Sequence, residues 1–381
     1  MNEAKDEHKF AILIAARNEE NVIGNLIDSL FKQNYELNNY DIYVIADNCT
    51  DGTAELARSH GAIVYERFNN HKLGKGYALD YLLTRIFDTK GKEHYDAFIV
   101  FDADNLVDAN YLKEMNKIYS QGYEISTSYR NSKNYDENWI SAAYSLNFIR
   151  ESAFLNQSRM LLNTSSFVSG TGFMFSANVI HKIGGWKFFL LTEDIQFTTS
   201  SILDGYKIGY AKDAIFYDEQ PTTLKASYHQ RLRWSKGFVQ VFQNYSLRLV
   251  KGLFSKKRTL GMFDILMTLL PVIMTGIIMP ILTVSIIIRN ISLGNSLFSI
   301  INHYSLQVSI GYLSLVLMAL IVTLHEWKRI RGSSFKKIIY CFTYPLFMAT
   351  YIPISIISIY TDVTWKPIKH VHSKSIVEYK I

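Results

Sequence analysis

Phe10–Ala15 is a short apolar run that stops abruptly at Ala16-Arg17-Asn18-Glu19-Glu20. A run of that length bounded by polar residues predicts a strand buried on both faces. The same pattern recurs at Ile42–Ala46, which ends on Asp47, at Ala62–Tyr65, and at Ala97–Phe101, which enters Asp102. Between the runs, apolar positions change to helical spacing. Asn21–Phe31 carries Val22, Leu26, Ile27 and Leu30 on one face, Asp51-Gly52-Thr53 opens a helix through Arg58, and Gly76–Arg85 follows the Gly/Lys loop Lys72–Lys75. Strands alternating with helices predict parallel βαβ units with right-handed crossovers. Ligands of such sheets bind beyond the carboxyl ends of the strands. Glu19, Asp47 and Asp102 all follow strand ends, so chemistry is expected along one edge.

After Leu260 the pattern changes again. Gly261–Ile288 is long enough to cross a bilayer despite Pro271 and Pro280, and Tyr304–Leu324 is a second candidate despite Gln307. Ile338–Tyr360 is a third, interrupted by Pro345 and Pro353. Lys251, Lys256, Lys257 and Arg258 precede the first segment; Lys328, Arg329, Arg331, Lys336 and Lys337 lie between the second and third. By the positive-inside rule both flanks, and the catalytic domain with them, face the cytosol. A third true span is the favoured expectation, although it puts Lys366, Lys369 and Lys374 outside. A re-entrant or interfacial segment kinked at its prolines keeps them inside. Leu224–Leu253 mixes aromatic and basic residues at helical spacing, as an interfacial amphipathic helix does.

Composition narrows the setting. The 381 residues are 48% hydrophobic with a formal charge of +6. The basic residues cluster beside the apolar segments, which points to a membrane surface and not to nucleic acid. Two cysteines, Cys49 and Cys341, give neither a disulfide framework nor a metal-ligand spacing, consistent with a reducing compartment. The polar stretch Met1–Lys9 does not read as a signal peptide.

Three polar motifs stand in order before the apolar tail: Asp102-Ala103-Asp104, Thr192-Glu193-Asp194 and Gln230-Arg231-Leu232-Arg233-Trp234. Two carboxylates one residue apart after a strand suit a hard divalent cation that keeps waters and phosphate oxygens. A downstream acid suits a general base, and Thr192 is equally placed to cap a helix carrying Glu193 and Asp194. Gln230, Arg233 and Trp234 fall at i, i+3 and i+4, on one helical face.

The series resembles the membrane-bound branch of the family 2 inverting glycosyltransferases, which contains cellulose, chitin, hyaluronan and poly-N-acetylglucosamine synthases. The resemblance covers nearly the whole chain from Ile12. It implies a GT-A-like nucleotide-diphospho-sugar transferase fold, α/β with a mostly parallel sheet, and a hexosyltransferase activity. By resemblance Asp102 and Asp104 bind a UDP-sugar with Mg²⁺ or Mn²⁺, both of them on the metal. Asp47 and Glu19, beside Ala16, contact the nucleoside, and Lys75 in His71–Gly76 lies against it. Asp194 is the general base, next to Glu193. Trp234 stacks under the acceptor sugar, Arg233 faces the diphosphate, and Gln230 belongs to the same motif. Ser169-Gly170-Thr171-Gly172-Phe173 resembles the acceptor-side loop, where Gly170, Thr171 and Gly172 admit a sugar and Phe173 or Phe175 stacks on it. Trp365–His370 resembles a gating segment loosely and fits a surface anchor better.

The expected organisation is a cytosolic transferase domain (1–220), interfacial helices with the Gln-x-x-Arg-Trp motif (221–260), and a membrane region with a basic tail (261–381). Gln-x-x-Arg-Trp favours a processive β-polysaccharide synthase acting on a glycan. The short tail departs from the larger synthases, so export requires association of copies or a partner. One alternative is single transfer to a membrane lipid, giving a glycolipid; another is a silent nucleotide-sugar sensor.

Overall fold

The computed structural model describes residues 7–255 and 259–364. Lys256–Arg258, the segment Trp365–His370 and Lys374 lie outside that range. Eight strands form one mixed sheet in the order β3-β2-β1-β4-β7-β6-β8-β5. They are β1 (Phe10–Ala16), β2 (Tyr40–Asp47), β3 (Ile63–Arg67), β4 (Ala97–Asp102), β5 (Leu106–Val107), β6 (Ile125–Ser132), β7 (Phe173–Ser176) and β8 (Ile208–Asp218). β1, β2, β3 and β4 are mutually parallel where they pair, as is β6 with β8, while β7 runs antiparallel to both β4 and β6.

The four predicted runs are parallel strands; the apolarity of β1, β2 and β4 follows from burial on both sides, whereas β3, at the sheet edge, is partly exposed. Alternate residues point to opposite faces. Ile12, Ile14, Val44, Ile99 and Phe101 pack under α1 (Ile23–Leu30) and α4 (Tyr111–Ser120), with α2 (Thr53–Ser59) at the edge. Leu13, Tyr43, Ile45, Phe98 and Val100 pack on the other face, against α3 (Lys75–Lys90) and residues of later helices. The register pairs Ala15 with both Ile45 and Asp102, so the loops after β1, β2 and β4 emerge at one edge.

Further along lie α5 (Trp139–Arg150), a π-helical turn at Glu151–Asn156, α6 (Gln157–Leu161), α7 (Ala177–Ile183) and α8 (Glu193–Leu203). α9 (Leu224–Leu253) is the predicted interfacial helix, with the predicted bounds. It buries Leu232, Val239, Val241 and Leu249, which tie it to the domain beneath. Gly237 permits the approach, because a Cβ there would stand 2.5 Å from the Thr192 side chain.

Three helical segments are long and apolar enough to cross a membrane: Leu260–Ser292, Phe298–His325 and Ser334–Tyr360. The first comprises α10 (Leu260–Ile273), a π-helical turn at Met274–Ile278 soon after Pro271, and α11 (Met279–Ser292). Proline removes an amide donor and widens a helix locally. The second is α12 (Leu297–His325), and the third breaks at Thr350 into α13 (Ser334–Ala349) and α14 (Tyr351–Tyr360). Cys341, Tyr344 and Phe347 of α13 share a core with Ile140, Tyr144 and Phe148 of α5, and α14 packs along α9. Both halves of the third segment thus rest on earlier helices, α13 on α5 and α14 on α9.

Candidate active site

One cavity of about 680 Å³ opens at the carboxyl edge of the sheet. Ala16, Glu19, Asp47, Lys75, Asp102 and Asp104 line one end, with Gly170, Glu193, Asp194, Gln230, Arg233 and Trp234 further in. Twelve residues spread from position 16 to 234 are therefore brought together by the fold. The predicted Thr171 and Gly172 do not line it. Thr171 is 2% exposed, and its hydroxyl accepts from the Asp102 amide at 3.0 Å, so it pins the Asp102 loop from behind. Gly172 has a φ of +63°, and a Cβ there would stand 2.2 Å from the Phe216 ring. Phe173 and Phe175 were expected to stack on a sugar; both are instead in the core, 1% and 0% exposed. Two residues apart on β7, they share one face of a central strand and pack together against Trp186 and Phe197, which leaves neither ring free.

At the end of the cavity nearest the strand termini Asp47 and Asp102 each have a fixed partner. Asp47 pairs with Arg67 at 2.5 Å, and Arg67 also donates to the Lys72 carbonyl, tying β2 to the Gly/Lys loop. Burial pushes the Asp47 carboxyl up, against the opposing pull of Arg67. Lys75, the first residue of α3, bridges Asp102 at 2.5 Å and the Gly170 carbonyl at 2.7 Å. Asp51 bonds the Thr53 amide at 3.1 Å, so it secures the start of α2 as a near-cap.

Asp104 is 5% exposed and accepts from the Glu219 amide at 3.0 Å. The short β5 pairs with Phe216 and Tyr217 on β8, and this pairing carries Asp104 to Asp218. Asp218 lines the cavity and is 2% exposed. One of its oxygens takes Arg130 Nε at 2.7 Å; the other, Oδ1, is buried without a hydrogen bond. The Gln220 amide lies alongside, but its Nε2 does not complete a bond either. Burial raises the Asp218 carboxyl, with Asp104 adding to the rise and Arg130 opposing it. An orphaned carboxylate oxygen beside a second buried carboxylate is a donor set that fits a hard divalent cation. Among the described residues no group of three His, Cys, Asp or Glu forms a ready cage. That suits Mg²⁺ or Mn²⁺ carried with phosphate oxygens and water. Asp218 was missed in the sequence, although it carries the signal that flagged Asp47 and Asp102, an acid closing a strand.

Glu193 and Asp194 open α8, where backbone amides favour a carboxylate. Thr192 makes no side-chain cap, and its hydroxyl is buried without a partner. Burial, reinforced by Asp194, pushes Glu193 up to about 7. Burial also raises Asp194, but the Ile195 amide, Arg233 and Lys75 hold it back. The pair therefore places two buried carboxylates side by side, both held above the usual carboxylate range, with Arg233 and Lys75 opposing the rise. Gly170 lies against Asp194, with 3.6 Å from Oδ2 to where a Cβ would stand.

On α9, Arg233 donates to the Leu191 carbonyl at 2.9 Å and so holds the loop that delivers Glu193. Gln230 Oε1 is buried without a partner. Trp234 stands edge-on to Tyr144 and Phe148, with ring centroids 5.8 and 5.9 Å away. Arg231, given no role from the sequence, is 2% exposed and reaches the break between α13 and α14. The cavity continues beyond Trp234 to Pro271, Val272, Met348, Tyr351, Ile352 and Ser355, all on the apolar C-terminal helices.

A family profile described as "Glycosyltransferase like family 2" matches residues 8–237. A β-monoglucosyldiacylglycerol synthase of Nostoc sp. is 28% identical over 68% of this chain and 55% of its own length. A poly-β-1,6-N-acetyl-D-glucosamine synthase of Staphylococcus aureus is 23% identical over 65% of this chain and 57% of its own. This chain spans about half the length of these curated relatives. Among solved structures, a mannosyltransferase from Pyrobaculum calidifontis, in complex with GDP-Man and Mn²⁺, aligns with a TM-score of 0.56. At 14% identity it covers 93% of this chain and 89% of its own, a likeness of fold. The profile takes in the donor acids, the Glu193–Asp194 pair and the Arg233–Trp234 face, and the chain belongs to glycosyltransferase family 2.

Proposed function

We propose that the chain transfers a sugar from a UDP-sugar to a hydroxyl group at the cytosolic face of a membrane, with inversion. The observation that carries this reading is a single cavity holding the donor acids, Asp102 and Asp104, together with the Glu193–Asp194 pair. In the proposed reaction Asp194 accepts the proton of the acceptor hydroxyl. The acceptor oxygen then bonds to the anomeric carbon from the face opposite the nucleotide, the bond from that carbon to the phosphate oxygen breaks, and UDP leaves. A donor with an α-linked sugar thus gives a β-glycoside. Asp194 suits the role because it lines the cavity in the first turn of α8, against Gly170, where backbone amides and Arg233 favour its charged form. Asp104 and Asp218 are the residues that would hold Mg²⁺ or Mn²⁺, which supplies charge neutralisation to the leaving diphosphate. Lys75 positions Asp102, and Arg233 positions the loop before Asp194.

Two acceptors fit the chemistry. Gln-x-x-Arg-Trp supports a growing β-glycan, with export left to further copies or a partner. The extension of the cavity among α10, α13 and α14 supports a hydroxyl carried on a membrane lipid, and this observation gives the lipid acceptor the advantage. The test is incubation of purified membranes with a panel of radiolabelled UDP-sugars, followed by sizing and lipid extraction of the product. One sugar on lipid is the expected outcome and a ladder returns the synthase reading. No turnover with any donor defeats transfer and leaves a nucleotide-sugar sensor.

A further inference from the structure

The cavity wall contains several arginines, and most are neutralised from within the protein. Arg130 is paired with Asp218 and Arg159 with Asp264, at 2.7 and 2.6 Å. Arg233 faces the carboxylates of Glu193 and Asp194. Arg150, at the end of α5, differs. Among the described residues it makes no ion pair; its one hydrogen bond is a 3.4 Å contact to Asn147, and its Nε is buried without a partner. It lines the same cavity as Tyr351 and Ser355 of α14. The cavity that Arg150 lines also presents apolar side chains, among them Phe148, Trp234, Phe238, Val272 and Ile352.

A shielded cation left without a counter-charge in a cavity with apolar side chains is complementary to an amphiphile whose head carries an anion. A nucleotide diphosphate belongs at the other end, with Asp102 and Asp104, and a free inorganic anion would leave the apolar side chains unused. We propose that Arg150 binds the phosphate of a membrane lipid whose hydrocarbon chain lies among α9, α10 and α14. This deepens the transferase reading and rests on it: the acceptor, or the lipid that carries it, bears a phosphate and is not a neutral diglyceride.

The test uses the full chain purified in detergent, with lipid retention measured by native mass spectrometry. Phosphatidylglycerol is compared with diacylglycerol of the same acyl chains, with inorganic phosphate as competitor. Wild-type protein is expected to retain phosphatidylglycerol at least tenfold better than diacylglycerol. Arg150→Gln should lose that preference and Arg150→Lys should keep most of it. Equal retention of the two lipids by wild-type protein would overturn the proposal even if Arg150→Gln does not fold. So would undiminished retention by folded Arg150→Gln, or displacement of the lipid by millimolar phosphate, which would mark a bare anion site. UDP affinity on the same preparation reads the donor half separately. Its absence in wild-type protein counts against the transferase reading and leaves the lipid result standing.

Discussion

Arg231 on α9 donates a 2.5 Å hydrogen bond to the hydroxyl of Thr350, at the break between α13 and α14. The same guanidinium bonds the Phe347 carbonyl at 3.2 Å and lies over the Phe347 and Tyr351 rings, 4.2 and 4.9 Å from their centroids. The helix with the Gln-x-x-Arg-Trp motif is thereby fastened to the third apolar segment. Arg231→Leu removes these bonds from a buried position, and a loss of about 2–4 kcal/mol is expected. Thermal unfolding in detergent should show a lowered midpoint. Transfer should fall more than UDP affinity, because the donor half stands on the sheet and not on α14. Equal loss of both would count against that division of labour.

The acid pair predicts a pH profile. Asp194 must be ionised to take a proton, and its pKa is raised, so kcat/KM should fall on the acid side at a pH above that of an ordinary aspartate. Asp194→Asn should retain UDP binding and lose transfer by at least a hundredfold; substantial residual transfer would refute the base assignment.

Glu193 carries the opposite sign for stability. Its folded pKa, about 7, exceeds the ordinary glutamate value of 4.5, so the folded state holds the proton more tightly and stability falls as pH rises between those values. Glu193→Gln should therefore raise the melting temperature at pH 8 and give little gain at pH 4.5. A gain that is independent of pH would show that desolvation of this carboxylate is not the cause.

Metal dependence should be shared by two acids. Asp104→Ala is expected to abolish the increase in UDP affinity produced by Mn²⁺ in isothermal titration, and Asp218→Asn to reduce it roughly tenfold, about 1.4 kcal/mol. An undiminished Mn²⁺ effect in Asp218→Asn would restrict that residue to holding Arg130.

Gly237 sets the seat of α9 on the Thr192 loop. Gly237→Ala puts a Cβ where only 2.5 Å is available, and overpacking of this kind costs about 1–3 kcal/mol. Displacement of the adjacent Glu193–Asp194 pair should lower kcat with little change in UDP affinity. Wild-type kcat would show that the two helices separate without moving the acids.

The sequence by itself determined the elements that repeat a single physical rule. Unbroken apolar runs are strands because both faces of a central sheet are buried, and acids that end them collect at one edge because parallel strands share a direction. The order of the motifs, the span of α9 and three membrane-competent segments were legible for the same local reasons. What only the tertiary structure decided depends on pairings between distant positions. Asp218 joins Asp104 through the two-residue β5, Phe173 and Phe175 are withdrawn into the core by the strands on either side, and Thr171 serves Asp102 from behind. Arg231 and Arg150 acquire their roles from helices more than a hundred residues away. Periodicity reports which face of an element is buried; it does not report what that face is buried against, and that second fact shapes the acceptor end of this site.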